Sequence, residues 1–302
     1  MKRKYILMGV AILSSVVAGA QDITDSIARK TQAVSTISAD EISKSATPNV
    51  SNTLYGLLPG LSVMQQTGWT DDAATLLRGY NNPLTVVDGF ARPLSYLNTE
   101  EIESVTVLKD GAATAVWGTR GANGVILITT KRGQYNTKMQ IDASYNFGMD
   151  LPINQPKFAN GYEYASALNE ALYYDGLEPQ YTREELDAFR SGSNRDLYAD
   201  TDWMKEGLRK HTINNQLDIS FRGGGKRLRY FTLLSYKNDY GILNETYAKY
   251  SDRYTAQMRK YELGLRMNID VDITPTTLAQ FSMLGQLRER KRPNTSEYDL
   301  FA

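Results

Sequence analysis

Tyr261 to Ile273 reads YELGLRMNIDVDI, and its side chains change character at every step. Tyr261, Leu263, Leu265, Met267, Ile269, Val271 and Ile273 alternate with Glu262, Gly264, Arg266, Asn268, Asp270 and Asp272. A period of two is a strand with one apolar and one polar face. At about 3.3 Å per residue and a tilt of about 45°, such a strand crosses roughly 30 Å, the thickness of a bilayer's hydrocarbon. Strands of soluble sandwiches rarely alternate for so long. The pattern therefore predicts a transmembrane β-strand, its polar side chains facing a wet lumen.

Related segments sit on either side. KMQIDASYNFG sets Met139, Ile141, Ala143, Tyr145 and Phe147 against Gln140, Asp142, Ser144 and Asn146. Leu217, Ile219 and Phe221 lead into Gly223-Gly224-Gly225, read as a tight turn, and Leu228 to Lys237 returns. Thr274-Pro275-Thr276 is a second turn, from which Thr277 to Arg290 comes back. Five strands are predicted, joined by two short turns and by long connections over 149–211 and 239–257, the asymmetry of short periplasmic turns and long outer loops. The first long connection holds two helical patches, GYEYASALNEALYYDG and TREELDAFRSG. Their Glu163, Glu170, Glu184 and Glu185 read as acidic faces of surface helices, the alternative being a catalytic carboxylate set. Tyrosine fits the same picture: the chain has 20 Tyr against 8 Phe, and 16 of the Tyr lie beyond residue 134. Its apolar body and polar tip suit barrel rims and membrane interfaces.

The N-terminus predicts export. Lys2, Arg3 and Lys4 precede a mostly apolar run from Tyr5 to Val17, and Ala18-Gly19-Ala20 offers a cleavage site. Residues 1–20 read as a signal peptide cut between Ala20 and Gln21. The run is too short to span a membrane as a helix, and no later segment reaches 18 apolar residues. With 34 basic and 34 acidic residues, nothing recommends nucleic acid as a partner. The chain has no cysteine and a single histidine, His211. Disulfides, thiolate catalysis and Cys-based metal sites are thereby excluded, and histidine-dependent triads disfavoured. No enzyme activity and no cofactor is expected.

Residues 21–34 read as a mobile arm. Beyond it, Val50, Leu54, Leu57 and Leu58 fall at helical spacing and Pro59-Gly60 ends that helix. Strands are predicted at Leu61–Met64, Leu84–Val87, Val105–Leu108 and Val125–Thr130, with a tight turn at Asp88-Gly89. Asn98 can cap a turn carrying Glu100 and Glu101, and Asp110 can cap Gly111 to Trp117. The glycines at 118, 121 and 124 invite a nucleotide-binding reading, but a dinucleotide fingerprint needs strand, glycines, then helix. Here a short helix precedes the glycines and the strand VILITT follows them. The glycines are instead expected to permit positive φ and close backbone approach. Residues 35–133 thus form a small α+β domain, a mixed sheet with short helices.

Several of these motifs carry a resemblance. NVSNTLYGLLPGLSV, PLTVVDGF and IESVTVLKDGAATAVWGTRGANGVILITTKRG resemble the plug domain of TonB-dependent outer-membrane receptors. The run Arg120-Gly121-Ala122-Asn123-Gly124-Val125-Ile126 with Thr129-Thr130-Lys131 is most similar to the SusC/RagA branch, found in Bacteroidota. The resemblance covers about residues 35–133 and continues more loosely over 134–302. It implies a plug inside a barrel of about 22 strands, so five strands would be an incomplete barrel and the chain an N-terminal piece of a longer receptor or a truncated product. An open barrel edge leaves backbone groups unpaired in lipid, and alone the piece is not expected to transport. The resemblance implies plug-signature residues Arg78, Gly79, Asp88, Gly89, Lys109, Asp110, Gly118, Arg120, Gly121, Asn123 and Gly124. Of these, Arg78, Asp88, Lys109, Asp110 and Arg120 are candidates for ion pairs with the barrel wall, the alternative being solvated charges or turn caps. It also implies TonB-driven import of a large nutrient, a glycan or peptide, across the outer membrane. The partners implied are TonB, energised by ExbB and ExbD, a SusD-like surface lipoprotein, and outer-membrane lipid. Asp22 to Ala28 is the candidate TonB-contacting segment. A binding or signalling receptor, or a non-transporting remnant, is the rival reading.

Overall fold

The computed structural model describes residues 11–15, 33–45, 47, 49–65, 73–153, 157–244, 249–251, 254–255 and 257–291. The cleavage site, the Asp22 to Ala28 segment and the C-terminal EYDLFA lie outside these residues. The chain divides into two compact units.

The first unit holds the small domain and a long antiparallel sheet. In chain order its first elements are β1 (Ala11–Ser15), β2 (Val34–Ser38), α1 (Ala39–Ile42), α2 (Val50–Thr53), β3 (Leu61–Met64), β4 (Ala74–Leu77), β5 (Tyr80–Asn81), β6 (Leu84–Val87) and β7 (Phe90–Ala91). Then come β8 (Ile102–Leu108), α3 (Gly111–Thr114) and β9 (Val125–Thr130). The plug sheet runs β2-β8-β9-β6-β7, parallel between β6 and β9 and antiparallel elsewhere, beside a three-stranded β3-β4-β5 sheet. β8 and β9 sit at its centre, and Ile102, Val105, Val107, Val125, Ile126 and Ile128 are buried. Ile42, Val50, Leu54 and Leu58 pack on the same core. The helix expected through Leu58 stops at Thr53, with Asn49 accepting from the Ser51 amide at its start, and the chain continues in turns. Leu57 is therefore left partly exposed.

The long sheet has the order β1-β16-β15-β12-β11-β10. Its strands are β10 (Thr137–Asp150), β11 (Thr212–Gly224), β12 (Leu228–Tyr240), β15 (Arg259–Thr274) and β16 (Thr277–Lys291). These are the five strands expected from alternation. The turn between β11 and β12 lies at 225–227, because Gly223 and Gly224 pair within the ladder opposite Tyr230 and Arg229. Those positions need glycine for another reason. A Cβ on Gly224 would strike the Gln134 carbonyl, and one on Gly133 the Tyr230 backbone, so the segment leaving the plug lies against the sheet here. β1, inside the predicted signal segment, pairs antiparallel with Gln280 to Leu284 of β16.

The second unit holds the long connections. Its helices are α4 (Gly161–Tyr174), α5 (Arg183–Ser191) and α6 (Trp203–Gly207), and a short β13 (Lys249–Ser251) and β14 (Tyr254–Thr255) pair together. Asn160 caps α4 and Glu163 returns a bond to the Asn160 amide at 3.0 Å. Thr182 and Glu185 close the same box on α5, so both carboxylates are helix-starting groups. Phe189 packs edge-on between Tyr181 and Tyr198. Among the described residues no helix is long and apolar enough to cross a membrane, which says nothing of strands.

Candidate functional site

The seam between the small domain and the long sheet is polar and buried. Its centre is built from a hairpin, a strand end and a wall residue. Asp88 and Gly89 both take positive φ, 48° and 89°, and join β6 to β7 in a two-residue loop with Val87 opposite Phe90. This geometry matches strand twist, and Asp with Gly is the pair that tolerates it. The loop thrusts the Asp88 carboxylate towards the end of β9, where it accepts from the Thr130 amide at 2.9 Å and the Thr130 hydroxyl at 2.5 Å.

Arg266 meets it from the wall. In β15 the polar row Glu262, Arg266, Asn268 and Asp270 faces the plug and is buried, as alternation requires. Arg266 Nη2 donates to Asp88 Oδ2 at 2.5 Å and to Thr130 Oγ1 at 3.0 Å. Asn268 Nδ2 donates to Thr130 Oγ1 at 2.9 Å and to the Lys131 carbonyl at 2.8 Å. Glu101 faces the same guanidinium, its Oε2 at 3.6 Å from Arg266 Nε, ion-paired and not hydrogen-bonded. Its Oε1 accepts from the Asn98 amide at 2.8 Å. Burial pushes the Glu101 carboxyl up to about 7, against the opposing pull of Arg266 and the Asn98 amide. The same surroundings depress Arg92, through burial first and Arg266 second. A cavity of about 40 Å³ adjoins the pair, lined among others by Leu97, Glu101, Gln216, Lys237, Glu262 and Arg266. That is space for water beside charged groups.

The seam extends over four wall strands. Asn98 donates to Asp218 of β11 at 2.7 Å, and Gln216 donates to the same carboxylate at 2.6 Å. Arg288 of β16 donates to the Ser95 carbonyl at 2.5 Å, pairs with Glu262 and lies over the Tyr96 ring. The segment after β9 is held as firmly. Arg132 donates to Asp270 at 2.6 Å, and Arg222 Nε donates to the Arg132 carbonyl at 2.7 Å. Arg229 of β12 stacks 3.9 Å from the Tyr135 ring centre, and the Tyr135 hydroxyl donates to Asp272 at 3.1 Å.

Of the five charges considered for wall pairing, Asp88 reaches the wall and two others turn inward. Lys109 Nζ donates to Ser35 Oγ across the β2–β8 pair. The Asp110 carboxylate caps α3 through the Ala113 amide at 2.8 Å and accepts from the Ala33 amide at 2.5 Å. These backbone bonds, Ala33 first, hold its pKa below the usual carboxylate value. Arg78, at φ 51°, forms the β4–β5 turn with Gly79. Arg120 is exposed. Asn123 donates to the Asn81 carbonyl at 2.9 Å, tying two loops together. Gly118 takes positive φ, and Gly121 lies so close to the Thr114 carbonyl that a Cβ would sit 2.9 Å from it. Gly124 combines both demands: φ is +89° and a Cβ would run into Leu77. The wall partners Asp218, Arg266, Asn268 and Asp270 sat on the polar side of the sequence alternation, but nothing in the sequence marked which of them meets the plug.

Residues 26–125 match the family model described as the TonB-dependent Receptor Plug Domain. The chain carries the plug domain of TonB-dependent receptors. It is 31% identical over 263 residues to the TonB-dependent receptor SusC of Bacteroides thetaiotaomicron, covering 80% of this chain and 24% of that protein. It is 29% identical over 256 residues to TonB-dependent receptor P26 of Formosa agariphila, covering 79% of this chain and 25% of the relative. The chain thus spans about a quarter of the length of these relatives. Among solved structures, the RagAB peptide importer in its open-open state matches with a TM-score of 0.69 at 22% identity, over 87% of this chain and 31% of that one. The siderophore receptor PirA from Acinetobacter baumannii matches at 0.55 and 13% identity, over 88% and 33%. These likenesses show the shared fold: a plug with a mixed sheet, followed by antiparallel strands that do not close a barrel among the described residues.

Proposed function

We propose that the parent receptor imports a large nutrient, an oligosaccharide or a peptide, across the outer membrane, with this plug gating the barrel lumen. One observation carries the reading: the plug is joined to the lumen face by a buried polar seam centred on Asp88, Glu101 and Arg266, while the apolar clusters of the described residues lie within the plug. A buried ion pair gives little net stability over the separated, hydrated groups. Such a seam can open while each side stays folded, as a gate must. The likeness to SusC and to the RagAB peptide importer supports the same reading.

In this reading residues 1–20 direct export and are removed before Gln21. Asp22 to Ala28 adds as a strand to TonB, main-chain hydrogen bonds supplying the affinity, and ExbB and ExbD energise the pull. A SusD-like surface lipoprotein covers the outer opening, and the protein works as a transporter without enzymatic chemistry. The plug-signature residues shape and dock the plug; they do not contact a cofactor. The test deletes Gln21 to Lys30 in the full-length receptor and measures uptake of fluorescent oligosaccharides and peptides. Loss of uptake with surface binding retained is expected. Unchanged uptake refutes the arm assignment, and surface binding with no TonB-dependent uptake in the parent favours a binding or signalling receptor.

A further inference from the structure

We infer that Asp110 is a positioning residue for gating: it fastens the point where the N-terminal segment enters the plug to a rigid strut that ends at the wall latch. This rests on the import reading above. The strut is β8. Its seven residues span roughly 20 Å, and Ile102, Val105, Val107 and Leu108 along it are buried between β2 and β9. At one end lies Glu101, against Arg266. At the other lie Lys109 and Asp110, against Ala33.

The fastening is two-sided. The Ala33 carbonyl accepts from the Lys109 amide at 3.1 Å, and the Ala33 amide donates to Asp110 Oδ2 at 2.5 Å. The other Asp110 oxygen is fixed by the Ala113 amide of α3, so the carboxylate cannot follow the arm without uncapping that helix. Val34 to Ser38 then pairs with Leu108 to Ser104 in an unbroken antiparallel register, reinforced by Lys109 to Ser35 and by the Thr36 and Thr106 hydroxyls at 2.9 Å. β2 is nevertheless an edge strand. A pull entering before Ala33 would open an unclamped edge one bond at a time, like a zipper. With Ala33 held, the same pull loads the whole β2–β8 pairing together, and β8 carries it to Glu101. A charge-assisted bond to a backbone amide is the strong kind.

The experiment separates clamping from helix capping. Asp110→Ser keeps an N-cap oxygen for α3 but is too short to hold Ala33 as well. The reporter is Leu97→Cys at the latch cavity, in a full-length receptor otherwise free of cysteine. It is labelled with a membrane-impermeant maleimide in cells with and without TonB. In the Asp110 background, labelling rises when TonB is present. Asp110→Ser should cut that rise about tenfold, as loss of one charge-assisted bond allows, with the amount of receptor at the surface unchanged. Val34→Cys with Leu108→Cys, directly opposed and flanking the Ala33–Lys109 bond, should form a disulfide in the oxidising periplasm and restore it. A full TonB-dependent rise in Asp110→Ser, or no recovery in the stapled variant, overturns the strut. No TonB dependence in the parent receptor overturns the import reading itself, and the strut with it.

Discussion

Replacing Asp88 with Asn removes one charge from the latch and puts an amide NH2 where Oδ2 accepts from Arg266 and Thr130. Asn tolerates the left-handed backbone at φ 48°, so the β6–β7 turn survives. Its side-chain oxygen can still accept from the Thr130 amide, as Asp88 does at 2.9 Å. What disappears is the anion at 2.5 Å from Arg266 Nη2, with both side chains nearly inaccessible to solvent, 3% and 6% exposed. Stranding one member of a buried pair costs about 3–5 kcal/mol. Two groups soften this here: Glu101 at 3.6 Å can ionise to face the cation, and Arg266 keeps its bond to Thr130 Oγ1. A cost below that range, about 2–3 kcal/mol, is therefore expected, a factor of roughly 30–150 in seam opening. Arg266→Met should cost a similar amount by stranding Asp88, and the double variant should cost less than the sum, with a coupling of about 2 kcal/mol. Native-state hydrogen exchange on the peptide spanning 125–131, in the full-length receptor in bilayers, reads the opening free energy. A coupling below about 0.5 kcal/mol would refute the latch. So would an equal loss of protection throughout β8, because that would mean the plug had unfolded rather than undocked.

The Glu101 carboxyl supplies a pH test. Its value near 7 in the docked plug lies above the solvated value of 4.5, so the docked state binds the extra proton. The Glu101 contribution to docking is then largest below about pH 4.5 and is lost as pH rises through 7, roughly 3 kcal/mol in all. Glu101→Gln should flatten that dependence in the same exchange measurement, and a slope of the opposite sign would remove Glu101 as its source. Asn98→Ala deletes the bond to the Glu100 amide at 2.9 Å and the bond to Asp218 at 2.7 Å. It should lower the urea stability of plug docking by about 2 kcal/mol, whereas Asn98→Asp should keep the cap yet repel Asp218. Gly124→Ala forces a Cβ into Leu77 at φ +89°, so a loss of more than about 1–3 kcal/mol in plug stability is expected; wild-type stability would show that the loop can shift freely.

The parts legible in the sequence were those that depend on near neighbours. Alternation located β10, β11, β12, β15 and β16, because a strand with one apolar and one polar face carries a period of two along its length. Asp88-Gly89 announced its own turn, and Asn98 and Asp110 announced their caps, since each satisfies a backbone amide two or three residues away. What stayed hidden depended on distant partners. β2 reads VSTIS, polar enough to pass for the end of an arm, and becomes a strand only because Leu108, more than 70 residues on, lies opposite Val34. The triple glycine looked like a turn, but two of its members stay in the ladder to make room for a segment some 90 residues earlier. Arg266 was plainly on the wet face, yet its pairing with Asp88 joins residues 178 apart.

This division between local and distant signals is also a division of labour. The plug's interior is held by aliphatic burial at Ile102, Val105, Ile126 and Ile128, worth about 1.5–3 kcal/mol per side chain and lost only if the domain itself comes apart. The seam is held by ion pairs and amide bonds whose gain is largely repaid by hydration when they separate. Water beside the Glu101–Arg266 pair would lower that barrier further, since charges that leave each other are met by solvent at once. An apolar seam of equal area would resist separation more strongly and expose a sticky face each time it opened. The polar seam therefore lets the domain remain folded while its contact with the wall is made and broken, which is the condition a plug has to meet if the lumen is to open repeatedly.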